Sequence, residues 1–88
     1  MATKTVIVGS SVGLHARPAA IIADAAGEYD DEILLMTPGG DPDGVDAASP
    51  LMIMTLGAEK GATVIVSSDN ADAVNKIAAL VERDLDAE

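Results

Sequence analysis

Most of the chemistry open to this 88-residue chain rests on one histidine and one arginine, two residues apart. His15 is the only histidine and Arg17 one of two arginines, and both lie in Gly13-Leu14-His15-Ala16-Arg17-Pro18-Ala19-Ala20. The stretch that follows is rich in alanine and reads as a helix, which places the pair where a loop becomes a helix. The first turn of a helix presents backbone N–H groups without helical partners and a partial positive charge, and together these favour an anion. Pro18 suits such a start, since it has no N–H to leave unpaired and its φ already fits a helix. A neutral imidazole held there is a nucleophile able to take up a phosphoryl group. The helix terminus and the Arg17 guanidinium would then stabilise the arriving charge. A plainer reading stands beside this one on spacing alone: His15 caps the helix and Arg17 is a solvated surface charge, a common pairing.

The elements that would position these residues follow from periodicity. Thr3 to Val8 is β-branched and reads as a strand, with Val6 and Val8 on one face and Thr5 and Ile7 on the other. The loop Gly9-Ser10-Ser11-Val12-Gly13 leads to a helix over Ala16 to Ala26, with Gly27 where a C-cap glycine belongs. That helix is apolar around most of its circumference, so much of it should be covered. Glu32 to Thr37 reads as a second strand, closed by the turn formers Pro38-Gly39-Gly40-Asp41-Pro42-Asp43-Gly44. Val45 to Ala47 fits a short third strand. Pro50 to Leu56 fits a helix with Ser49 as N-cap and Gly57 as its end. Ala62 to Ser67 is another strand. The last helix carries Val74, Ile77, Ala78, Val81 and Leu85 as one stripe, with Asp69 or Asn70 as cap. The order β-α-β-β-α-β-α over residues 1–88 is that of a single α+β domain. It predicts an open-faced sandwich, a four-stranded antiparallel sheet with three helices on one face.

Composition removes whole classes of function. Fifteen acids against five bases give a formal charge of -10, which repels phosphate backbones and anionic lipid surfaces. Tyr29 is the only aromatic residue, so stacking on bases is unavailable, and no nucleic-acid partner is expected. Cysteine is absent, which removes disulfides, thiol catalysis and thiolate metal sites. A lone histidine without cysteine argues against zinc, and neither metal nor cofactor is expected. Asp41-Pro42-Asp43-Gly44-Val45-Asp46 looks like a calcium loop only superficially, because its glycine is fourth and the twelfth position is Met52. An acidic turn is expected there. Ser10 or Ser11 beside His15 lacks an orienting acid, and Gly57-Ala58-Glu59-Lys60-Gly61 lacks phosphate-loop spacing. The opening residues carry neither a basic n-region nor an apolar h-region, and no apolar run approaches the ~18 residues of a membrane span. A cytoplasmic protein without membrane insertion is the expectation.

The eight residues from Gly13 to Ala20 resemble the active-site signature of HPr, the histidine-containing phosphocarrier family of the bacterial sugar phosphotransferase system. Ser49-Pro50-Leu51-Met52-Ile53-Met54-Thr55-Leu56-Gly57 resembles the family's second-helix segment, and Lys60-Gly61-Ala62 fits as well, so the likeness covers nearly the whole chain. The resemblance implies a monomeric carrier, not a catalyst. In the family, enzyme I, charged from phosphoenolpyruvate, phosphorylates Nδ1 of the histidine, and the carrier passes the group to the IIA domain of a sugar permease. By that analogy His15 is the phosphorylated residue. Arg17 contacts the phosphoryl group, with backbone N–H groups near Ala16 and Arg17.

The same resemblance singles out Ser49, which some members have phosphorylated by a dedicated kinase. Here Ala48 and Pro50 flank it, where a basic and an aliphatic residue are usual, and the N-cap role alone is the favoured reading. Ala20, Leu51 and Met54 are expected at the partner-docking surface, with Ile53 and Leu56 as the core pair and Met52 open between the two roles. Several members carry lysines around the active site; the matching places here are Asp24, Gly27, Ala48 and Met52. Docking should therefore rest on apolar contact and Arg17, with weaker salt dependence than in a lysine-rich homologue. A regulatory binding module using the same surface is the second hypothesis, which the pairing of His15 with Arg17 disfavours. A self-contained enzyme comes third.

Overall fold

The computed structural model describes residues 2–11, 13–40 and 43–83. Strand β1 (Ala2–Ile7) is followed by helix α1 (Ala16–Ala26), strands β2 (Ile33–Met36) and β3 (Val45–Asp46), helix α2 (Pro50–Thr55), strand β4 (Thr63–Ser68) and helix α3 (Ala71–Glu82). The element order is the expected one. The sheet runs β1-β4-β2-β3 with every pair antiparallel. Val6 lies opposite Val64, and Val66 opposite Leu35, so one face of the sheet carries an aliphatic layer, with Lys4 and Ser68 towards one end of the same face. Helices cover that face. Ala19, Ile22, Ala23 and Ala26 of α1 and Val74, Ile77, Ala78 and Val81 of α3 pack into one core with it, with Ile53 of α2. Alanines of both long helices lie in the core where α1 and α3 meet. Ile22, Ile53 and Ile77 are fully buried, and burying a side chain of that size stabilises by about 1.5–3 kcal/mol.

The opposite face of the sheet is open. Thr3, Thr5 and Ile7 are exposed there, while Leu34, Met36 and Ile65 are half-buried. Ser67 shares this face, in register between Thr3 and Leu34; it is buried, and its Oγ has no hydrogen-bond partner among the described residues.

Several boundaries move for identifiable reasons. The first strand spans 2–7, not 3–8, yet the Val8 amide still donates to the Ala62 carbonyl at 2.9 Å. Asn70, not Asp69, caps α3: its Oδ1 accepts from the Asp72 and Ala73 amides at 3.0 and 3.2 Å. Gly27 occupies the C-cap of α1 in the right-handed region, φ -67°, so the freedom of glycine is not used there. Gly57 after α2 does use it, at φ 63°. The coverage of α1 is one-sided, with Ala16, Ala20 and Asp24 exposed although two of the three are alanine. Asp41 and Pro42 of the acidic turn, Val12 of the first loop and Leu85 of the last stripe lie outside the described residues. No helix among the described residues is long and apolar enough to cross a membrane.

Candidate functional site

His15 is the N-cap residue of α1, extended at φ -83° and ψ -166°, and its side chain makes no capping hydrogen bond. The imidazole is exposed. A cap residue normally spends its side chain on the amides of the second or third helical position; this one leaves them alone. Ala16 and Arg17 occupy the first two helical positions, where an amide has no helical carbonyl to reach. Pro18, buried at the third position, has no N–H at all. The Ala19 amide is the first to close the helical ladder, donating to the His15 carbonyl at 2.9 Å. Pro18 thus narrows the amides of the first turn to those of Ala16 and Arg17, the two residues that follow His15. Both residues are exposed, and the Arg17 guanidinium adds a full positive charge to the partial charge of the helix end.

The loop before His15 is held by its neighbours. Leu14 is 3% exposed, and its amide donates to the Ala58 carbonyl at 2.9 Å. Gly13 has φ +76°, and a Cβ there would come 2.5 Å from the Ala58 carbonyl oxygen and 2.8 Å from Glu59 Cα. Only glycine satisfies both the conformation and the close approach. His15 is therefore a surface residue on a loop whose preceding side chain is anchored in the core.

Ser49 is the N-cap of α2. Its Oγ accepts from the Met52 amide at 3.3 Å, and Pro50 takes the first helical position. The hydroxyl is thus engaged in the expected cap. Helix α2 packs against α1, and its exposed apolar side chains are Leu51, at 68%, and Met52, at 41%. Ala20 is exposed on α1. Met54, expected on the docking surface, is half-buried and packs against the core with Leu56, while Ile53 is fully buried. The exposed face of this short helix therefore carries Leu51 and Met52. One turn of helix shares its few positions between core and surface, so α2's place against both α1 and β3 decides which methionine turns inward.

Other parts of the molecule offer less for an anion. A hollow of about 260 Å³ lies at the far end of α1, lined by Tyr29, Asp30, Asp31, Glu32 and Asp46 among others, and its carboxylates oppose a phosphoryl group. Asp31 is tied to the start of α3, its Oδ2 accepting from Asn70 Nδ2 at 3.0 Å. Among the described residues no three His, Asp or Glu side chains converge as metal ligands.

Comparison with known proteins adds an independent line. The family profile described as "PTS HPr component phosphorylation site" matches residues 2–83. The chain is 37% identical over 89 residues to the phosphocarrier protein HPr of Streptomyces coelicolor, covering 98% of this chain and 94% of that one. The crystal structure of an HPr from Thermoanaerobacter tengcongensis superposes with a TM-score of 0.85 at 30% identity, covering 100% of this chain and 99% of that one. An HPr from Bacillus anthracis superposes with a TM-score of 0.80 at 30% identity, covering 91% and 95%.

Proposed function

The chain belongs to the HPr family of phosphocarriers, and from that premise we propose that His15 is the residue on which it carries a phosphoryl group. The observation that carries this reading is the uncapped start of α1: an exposed imidazole that makes no capping bond, beside the amides of Ala16 and Arg17. In the proposed step the Nδ1 lone pair attacks phosphorus and a P–N bond forms. The donor's bond to phosphorus breaks, with its electron pair returning to the donor. No water enters, and the group stays at high transfer potential. The Ala16 and Arg17 amides and the Arg17 guanidinium hold the phosphoryl oxygens, which carry the charge in transfer.

The donor in this reading is enzyme I, charged from phosphoenolpyruvate, and the acceptors are IIA domains of sugar permeases in the cytoplasm. The 88 residues act as one domain and as a monomer, a substrate of enzyme I and not an enzyme. Ala20, Leu51 and the exposed Met52 form the apolar ground on which both partners dock. Ser49 acts as the cap of α2.

The test is incubation with phosphoenolpyruvate and enzyme I, read by intact mass before and after brief acid treatment. One acid-labile phosphoryl group on the wild type and none on His15→Ala is the expected result. An acid-stable adduct would point to a hydroxyl such as Ser49 and overturn the assignment. No adduct at all would move the chain to a regulatory module built on the same surface.

A further inference from the structure

The last carbonyls of α3 end against the loop that carries His15, although 73 residues separate the two in sequence. A helix leaves its final four carbonyls without helical donors. Here the Val81 carbonyl accepts from the Gly9 amide at 3.1 Å, and the Arg83 carbonyl accepts from the Ser10 hydroxyl at 3.2 Å. Between them the Glu82 carbonyl lies so close to Gly9 that a Cβ there would overlap it. Three successive carbonyls of the helix end thus meet two successive loop residues. Ser10 is fully buried, so its hydroxyl is sealed from water where it makes this bond. The same residue reaches forward, its carbonyl accepting from the Gly13 amide at 2.9 Å. Gly13 in turn sits against Ala58 and Glu59, and Leu14 is bonded to Ala58. A run of contacts therefore leads from the end of α3 through Ser10 and Gly13 to the backbone of His15.

We propose that Ser10 is a positioning residue for the phosphoryl site, fixing through Gly13 and Leu14 how the His15 ring and the Ala16 and Arg17 amides face an incoming group. The proposal rests on the carrier reading of His15. It makes the end of α3 part of the site's framework although no side chain of α3 is assigned to the chemistry. Leu51, Met52 and Ala20 lie on α1 and α2, outside this run, so docking is separate from it.

Ser10→Ala tests the proposal, with Ser67→Ala as its control. Both remove one buried hydroxyl, but the Ser67 hydroxyl has no hydrogen-bond partner among the described residues and lies on the far face of the sheet. Two readouts are needed: kcat and KM for phosphoryl transfer from enzyme I, and amide and imidazole NMR shifts of the unphosphorylated protein. Ser10→Ala is expected to lower kcat about three- to tenfold, the scale of one lost hydrogen bond, with KM unchanged. It should also move the resonances of the His15 ring and of Ala16 and Arg17, while Ser67→Ala leaves kcat and those resonances in place. A kcat within about twofold of wild type, or His15 shifts no larger than those of Ser67→Ala, would overturn the proposal. Should the wild type accept no phosphoryl group, the carrier reading fails instead, and the chemical shifts still decide whether Ser10 positions the ring.

Discussion

Helices α1 and α3 are of similar length, 11 and 12 residues, and each begins with amides that no helical carbonyl can reach. At α3, Asn70 accepts from two of them, at 3.0 and 3.2 Å, and its amide nitrogen bonds Asp31 as well. At α1, His15 occupies the same position, also extended but with ψ at -166° where Asn70 has 105°, and makes no capping bond. Asn70 is a cap residue used for stability. His15 is a poor cap in a place where a good one would contribute about 1 kcal/mol. The difference teaches that the side chain at the cap of α1 is not spent on its helix, and in the proposed reading that end meets the phosphoryl group with a nucleophile and a guanidinium at hand. Helix α2 sides with α3, because Ser49 fills its own N-terminus.

Replacing His15 with a good cap should break the contrast most sharply. His15→Asn is expected to abolish acid-labile phosphorylation while stabilising the protein by about 0.5–1 kcal/mol in urea denaturation, the exchange of function for stability seen at other strained or under-satisfied sites. A loss of stability would mean that the imidazole already supports the helix. Next in size, Arg17→Ala should lower the rate of phosphoryl transfer about a hundredfold, measured by rapid quench, with the denaturation midpoint little changed. Leu51→Ser with Met52→Ser should raise KM roughly tenfold and leave kcat alone. In the wild type that KM should vary little between low and moderate salt; a steep dependence would show that charge, not apolar contact, holds the partners. At α3, Asn70→Ala should cost about 1 kcal/mol in the same denaturation assay and leave transfer untouched. Ser49→Ala should cost about 0.5 kcal/mol, since that cap is one 3.3 Å bond.

Local features of the fold were legible because they depend on neighbours in sequence. The alternation of Val6 and Val8 with Thr5 and Ile7 placed the first strand's core face correctly, and the limits of α1 match Ala16–Ala26. The stripe of Val74, Ile77, Ala78 and Val81 is buried as its period requires. The eight residues around His15 carried the family, while the order of the elements carried the fold class. What depended on tertiary contact stayed hidden. Met52 and Met54 have the same chemistry two positions apart, and only the packing of α2 against α1 and β3 turns Met54 toward the core. Gly27 and Gly13 look alike in sequence, yet one is ordinary right-handed backbone and the other a close approach at φ +76°. The bond from Ser10 to Arg83 joins residues too far apart for any local pattern to announce.

The contrast between helix termini can be tested directly by recording backbone amide spectra of the wild-type protein before and after phosphorylation by enzyme I. Ala16 and Arg17 are expected to move strongly downfield as their amides donate to the new phosphoryl oxygens, while Met52 at the Ser49 cap and Asp72 and Ala73 at the Asn70 cap hold their positions. Unmoved Ala16 and Arg17 resonances in a phosphorylated protein, or a displaced Met52, would contradict the assignment of the phosphoryl site to the open end of α1.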